Sequence, residues 1–160
     1  MNKFSITLCT LLAIPFALSS CDTNKDKEDV KPATKTEMLT DKNWMLSALT
    51  TTPARTLGGK QVTDLFPYVD ECTLDDVLNF AKPNVYRFDE GTTRCSAQDQ
   101  QSLTGTWAFR EEESVLATQF PGYQENTYNV LELNNNTLKM KTQTTINGVK
   151  YTETYTYTKH

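Results

Sequence analysis

The sequence predicts an all-β domain: eight short antiparallel strands closed into an up-and-down barrel, carried on a disordered N-terminal tether. Three observations predict it. From Met38 to the C-terminus no window sustains a 3.6-residue apolar period, whereas short runs rich in Thr, Tyr, Val and Phe recur between turn residues. Several of these runs alternate apolar and polar positions, so each presents one apolar face. The chain has 160 residues, enough for one domain, and its apolar faces must be buried together. Closing the sheet on itself does this and leaves no edge unpaired. A two-sheet sandwich satisfies the same alternation and stays open at this point.

Taken in order, residues 38–42 are expected as one helical turn leading into a first strand at 44–51. Further strands are expected at 77–81, 84–88, 104–110, 115–119, 127–133, 137–144 and 149–159. Leu78 with Phe80, and Tyr86 with Phe88, form apolar faces on the second and third strands. Leu103, Gly105, Trp107 and Phe109 share one face of the next strand, and Leu138, Met140, Thr142 and Thr144 share a face further on. The last strand divides most plainly: Val149, Tyr151, Glu153, Tyr155 and Tyr157 lie on a core face, and Thr152, Thr154, Thr156 and Thr158 on a solvent face. Asn147-Gly148 supplies the positive φ values of a type I′ hairpin turn, and Asn134-Asn135-Asn136 marks another turn. One long connection is expected from about residue 53 to 75, with Thr73-Leu74-Asp75-Asp76 capping a short helical turn.

The N-terminus reads as an address. Lys3 precedes an apolar stretch from Phe4 to Leu18, too short to span a membrane as a helix. It ends in Leu18-Ser19-Ser20-Cys21, which resembles the lipobox of bacterial lipoproteins. That resemblance implies a signal peptide over 1–20, lipidation of the Cys21 thiol, and a lipid-anchored protein of the cell envelope, at the outer membrane on its periplasmic face or at the cell surface. Residues 21–37 follow as a lipidated tether; residues 22–37 alternate acid and base and lack aromatic side chains. The tether's r.m.s. reach is about 20–25 Å. Its early acidic residues (Asp22, Asp26, Glu28, Asp29) either resemble a surface-export signal or simply keep it solvated. The folded domain is expected over 38–160. With Cys9 removed and Cys21 lipidated, Cys72 and Cys95 remain as one pair in an exported domain, expected to be a structural disulfide. Such a bridge closes a loop of about 24 residues, worth about 3 kcal/mol in the chain-entropy description.

Several segments carry a further resemblance. They are residues 39–46 (LTDKNWML), 72–80 (CTLDDVLNF), Cys95, Thr104-Gly105-Thr106-Trp107, and Tyr128-Asn129-Val130 leading to Leu133 and Leu138. Over residues 38–160 the chain resembles the lipocalin-like domain found in small lipoproteins of Gram-negative gut bacteria. The resemblance implies an eight-stranded barrel and the Cys72–Cys95 bridge, and brings no catalytic motif.

Composition narrows the function classes. The net charge is −4, from 16 basic and 20 acidic residues without a basic cluster, which argues against nucleic-acid binding. The single histidine is the C-terminal His160, so no buried His base and no multi-His metal site is available. There is no phosphate-binding Gly loop and no nucleophile elbow, and no carboxylate pair stands at a defined catalytic spacing. A non-catalytic protein without cofactor or metal is expected. Asp70, Glu71, Asp75 and Asp76 read as capping and solvating groups rather than a Ca²⁺ loop, since they lack EF-hand spacing.

Two functions are expected of the barrel. The first is binding of a small apolar or amphipathic molecule by Trp107, Phe109, Tyr128, Tyr151, Glu153 and Tyr155. Here Glu153, a carboxylate on a core face, needs a pairing partner, a wet site or a polar ligand. The second is a protein-interaction module with a filled core. It would act through Leu65, Phe66 and Tyr68 in the 53–75 connection, where an exposed apolar segment would form a patch.

Overall fold

The computed structural model describes residues 31–160. The signal segment, Cys21 and residues 22–30 of the tether lie outside the described residues. Nine strands form one antiparallel sheet: β1 (Asn43–Leu57), β2 (Lys60–Asp64), β3 (Val77–Ala81), β4 (Val85–Asp89), β5 (Ser102–Arg110), β6 (Val115–Gln119), β7 (Asn126–Leu133), β8 (Thr137–Ile146) and β9 (Val149–Lys159). The spatial order is β2-β1-β3-β4-β5-β6-β7-β8-β9, and β1 also pairs with β9. That pairing runs from Trp44↔Lys159 to Thr52↔Thr152 and closes eight strands into a barrel. It decides between barrel and sandwich. The family of alternating faces is therefore buried by closure, as the sequence predicts.

The expected 53–75 connection is the main correction. β1 does not stop at Thr51; it runs on to Leu57, turns at Gly58-Gly59 and returns as β2. Pro53 reads as a strand breaker because it has no N–H to give. Here it falls where the β1–β2 register shifts, between Thr50 and Arg55, a place where a missing donor is tolerated. Gly58 and Gly59, with φ of +55° and +78°, make the turn that a two-residue hairpin needs. β2 is thus an arm hydrogen-bonded to the far half of β1, and it lies outside the closed ring. The rest of the connection holds two 3-10 turns, Phe66–Tyr68 and Glu71–Thr73.

The helical turn also moves. It spans α1 (Lys35–Leu39), earlier than residues 38–42. Thr34 and Glu37 form a reciprocal capping box that fixes the start. Leu39, at its end, is fully buried, and its carbonyl accepts the indole N–H of Trp44 at 2.9 Å. The helix therefore stoppers the end of the barrel where β1 begins. The β8–β9 turn is as predicted, with Asn147 and Gly148 at φ of 51° and 79°.

The core is aromatic and continuous. Trp44, Phe80, Leu116 and Leu138 are buried to within 2 % of full burial, with Leu78, Tyr86, Trp107 and Met140 beside them. Rings run in contact from Phe120 to Tyr86 (5.0 Å), Phe80 (5.1 Å), Trp107 (6.0 Å) and Phe109 (5.6 Å). Gly105 makes this possible. A Cβ there would stand 2.1 Å from the Gln119 carbonyl oxygen and 2.8 Å from the Phe120 ring.

Candidate ligand site at the open end of the barrel

Strand directions assign the loops to two ends. α1, the turns after β3, β5 and β7, and the C-terminus share the stoppered end. The β1–β3 connection, the β4–β5 loop, the β6–β7 loop and the Asn147-Gly148 turn share the other. Two braces hold this open end. The Cys72–Cys95 disulfide, with Cα atoms 5.1 Å apart, ties the β1–β3 connection to the β4–β5 loop. Beside it, the Asp75 carboxylate accepts hydrogen bonds from the N–H and hydroxyl of both Thr92 and Thr93, at 2.6–2.9 Å. The Thr92 and Thr93 hydroxyls first, then their N–H groups, hold this carboxyl well below the usual carboxylate range. Asp75 is thus a loop clamp and not a helix cap: the helical turn here is Glu71–Thr73, ahead of the expected Thr73–Asp76 cap, and its N-cap Asp70 makes no side-chain capping bond.

Four of the six predicted ligand residues come together on the inner wall below this end. The register pairs Thr51 with Glu153 and Leu49 with Tyr155. Glu153 points inward, as alternation predicts, and one of its oxygens meets the Arg55 guanidinium at 3.2 Å. The other accepts the Tyr155 hydroxyl at 2.8 Å. The same guanidinium stands 5.8 Å from the centre of the Tyr151 ring. Tyr128 meets Tyr155 edge-on at 6.3 Å. Arg55 is therefore the pairing partner that a carboxylate on a core face needs, and it also covers the Tyr151 ring. Burial first, then the bond to Glu153, pushes the Tyr155 hydroxyl pKa well up, and burial raises that of Tyr128. Both hydroxyls stay protonated donors. The Thr51 hydroxyl, opposite Glu153, is buried without a hydrogen-bond partner.

Trp107 and Phe109 sit elsewhere. Trp107 is 6 % exposed and donates its indole N–H to the Ala81 carbonyl at 3.0 Å, at the stoppered end of β3. The two rings pack edge to face as the barrel's floor.

The cavity at this end measures about 550 Å³. Leu49, Leu57, Leu65 and Tyr68 supply its apolar wall, and Arg55 and Lys60 its cations. Of the predicted interaction residues, Leu65 is buried and anchored by its N–H to the Leu49 carbonyl at 2.8 Å, Phe66 is half-buried, and Tyr68 is exposed. The apolar segment thus folds into the cavity wall more than it projects from it. Arg55, Leu57 and Lys60 were not among the predicted site residues. Their signal was present in Gly58-Gly59, a hairpin turn that would have carried the strand pattern past Pro53.

A closed antiparallel barrel with one stoppered end, one braced open end and a cavity at its mouth is the architecture of a small up-and-down β-barrel. A family model described as the lipocalin-like domain matches residues 40–140, and the chain belongs to that family. The match ends inside β8, so β9, which closes the ring, lies beyond it. Among solved structures the chain is similar to a bovine odorant-binding protein, a deswapped triple mutant, at 10% identity and a TM-score of 0.42, covering 77% of this chain and 74% of that one. It is also similar to the complex of bovine odorant-binding protein with a selenium-containing odorant, at 13% identity and a TM-score of 0.39, covering 81% and 75%. The comparison with curated proteins finds no match.

Proposed function

We propose that this protein is a lipid-anchored, non-catalytic barrel of the cell envelope that holds a small amphipathic molecule at its open end. The cavity of about 550 Å³ beside Leu49, Leu57 and Leu65 carries the reading, because it joins apolar wall to the cations Arg55 and Lys60. Membership of the lipocalin-like family supports it, since such barrels typically hold small hydrophobic ligands and are generally binding folds without catalysis. The packed floor under Tyr86 and Trp107 limits the ligand to the mouth. An acidic head against Lys60, with an apolar body on Leu49 and Leu57, fits the lining. The lipobox-like Leu18-Ser19-Ser20-Cys21 supports the anchor.

The test is titration of the protein with 11-(dansylamino)undecanoic acid, followed by probe fluorescence. We expect saturable binding, weakened about tenfold or more in Leu57→Asp and Lys60→Glu. Equal affinity in wild type and both variants would sink the proposal. The same floor, filled with aromatic side chains, favours a second reading as a protein-interaction module presenting Tyr68 and the β1–β2 arm. Absence of probe binding together with a partner protein lost on Tyr68→Ala would favour that reading.

A further inference from the structure

A second cavity, of about 480 Å³, opens between the β4–β5 and β6–β7 loops, and its chemistry is opposite to the first. Glu90 and Asp99 bring carboxylates to it, Phe120 and Tyr123 bring rings, and Leu103 brings an apolar wall. The rings meet edge to face at 6.5 Å, and Tyr123 is 65% exposed at the rim. Among the described residues no ion pair engages Asp76, Glu90 or Asp99. The nearby Arg94 guanidinium donates to the Asp99 backbone carbonyl at 3.1 Å.

Of the carboxylates named, only Glu90 and Asp99 line this cavity, and those at the open end of β3 and β4 divide into two kinds. Asp75 and Asp89 are satisfied: Asp75 by Thr92 and Thr93, Asp89 by the Gly91 N–H at 3.0 Å and the Gln101 amide at 3.2 Å. They brace the loops. Asp76 and Glu90 are not satisfied. Each has one oxygen fully buried and without a hydrogen-bond partner, Oδ1 of Asp76 and Oε2 of Glu90. They stand one step beyond the Val77↔Asp89 pair, on the side of Leu78 and Phe88, facing one another across the ladder. Two carboxylates set opposite, with no bracing role and no donor, are costly to a fold unless something positive meets them.

We propose that this cavity is a second binding site, distinct from the Leu57 cavity, for a protonated amine on a small aromatic or apolar body. The ammonium group meets Glu90, whose charge is raised in cost by Asp76 opposite it at the end of the β3–β4 ladder, and the body lies against Phe120, Tyr123 and Leu103. Carboxylate and ring faces together recognise a cation on an apolar frame, since the carboxylate supplies acceptors and the ring supplies its negative face.

The experiment compares phenethylamine with phenethyl alcohol, its uncharged counterpart, by calorimetric titration of the full-length protein at pH 8. Wild type is expected to bind the amine at least tenfold more tightly than the alcohol. Glu90→Gln and Asp76→Asn should each remove that preference while keeping or raising the melting temperature, because each relieves like-charge repulsion. Loss of binding with a retained fold separates recognition from misfolding. Equal binding of amine and alcohol, or an unchanged preference in Glu90→Gln, overturns the proposal. So does CaCl₂ binding in place of the amine, which would make the pair a metal site. The dansyl probe at the Leu57 cavity reads the first site independently: its affinity should be unchanged in Glu90→Gln.

Discussion

Asp76 shows how a single side chain can record the strain of a site. Burial first, then the neighbouring Glu90, Asp75 and Asp89, pushes its carboxyl up to about 7. In the unfolded chain the same group titrates at about 4. Between those values the folded protein holds a proton that the unfolded chain has released, so this contribution to stability is full below about pH 4 and lost as pH rises through 7. The expected result is a urea midpoint that falls from pH 5 to pH 8 in wild type and much less in Asp76→Asn; parallel profiles would remove Asp76 as the cause. Gly105 is the steric counterpart. Gly105→Ala places a methyl group 2.1 Å from the Gln119 carbonyl oxygen, and overpacking of this kind costs about 1–3 kcal/mol, measurable by chemical denaturation. At this scale the sequence was legible wherever strict alternation held. Glu153 is inward because its neighbours Tyr151 and Tyr155 are, and a residue on a core face needs a partner. The partner itself, Arg55, was not legible, because 98 residues separate the two and only the register of β1 on β9 brings them together.

Elements were legible in proportion to how much of their definition is local. β3, β6 and β9 have the bounds that their composition and turns predict, and the Asn147-Gly148 turn is fixed by two residues alone. β1 and β2 were not, since Pro53 ends a strand by local rules, and only the bulge between Thr50 and Arg55 lets the strand continue. α1 was displaced for the reverse reason: the Thr34–Glu37 capping box is a local signal, but it lies in a stretch whose charge reads as tether. The β5–β6 turn carries a cost that local rules do reveal. Glu111, Glu112 and Glu113 have φ of 50°, 54° and 63°, a left-handed run that glycine adopts more readily. Glu112→Gly should therefore stabilise the protein by about 1 kcal/mol, seen as a higher melting temperature; a lower one would mean that the glutamate side chains hold the turn. At the other end, the Cys72–Cys95 bridge joins residues 23 apart, and Cys72→Ser with Cys95→Ser should cost about 3 kcal/mol in denaturant titration.

For the whole molecule the decisive feature is closure, and one residue stands at the seam. Trp44 pairs with Leu78 of β3 on one side and with Lys159 of β9 on the other, so the ring closes across it. It is fully buried, and its indole N–H meets the Leu39 carbonyl at the end of α1. Three layers of organisation thus depend on the same side chain: the stopper helix, the strand seam and the aromatic floor. Trp44→Ala removes a large buried ring and leaves the Leu39 carbonyl without its donor, a loss of about 3–5 kcal/mol. That is a large fraction of the 5–15 kcal/mol typical of a domain. At about 2–4 °C per kcal/mol, the melting temperature should fall by about 10 °C or more. Trp44→Phe separates the terms, since it keeps most of the packing and loses only the hydrogen bond; about 1–2 kcal/mol is expected. Because every strand of the ring buries its inner face against the same core, both variants should still unfold in one transition, with circular dichroism and tyrosine fluorescence coincident. If Trp44→Ala instead melted in two steps, the seam would be a local joint, and the braced mouth formed by Asp75 and the disulfide would hold its own fold without the stoppered end.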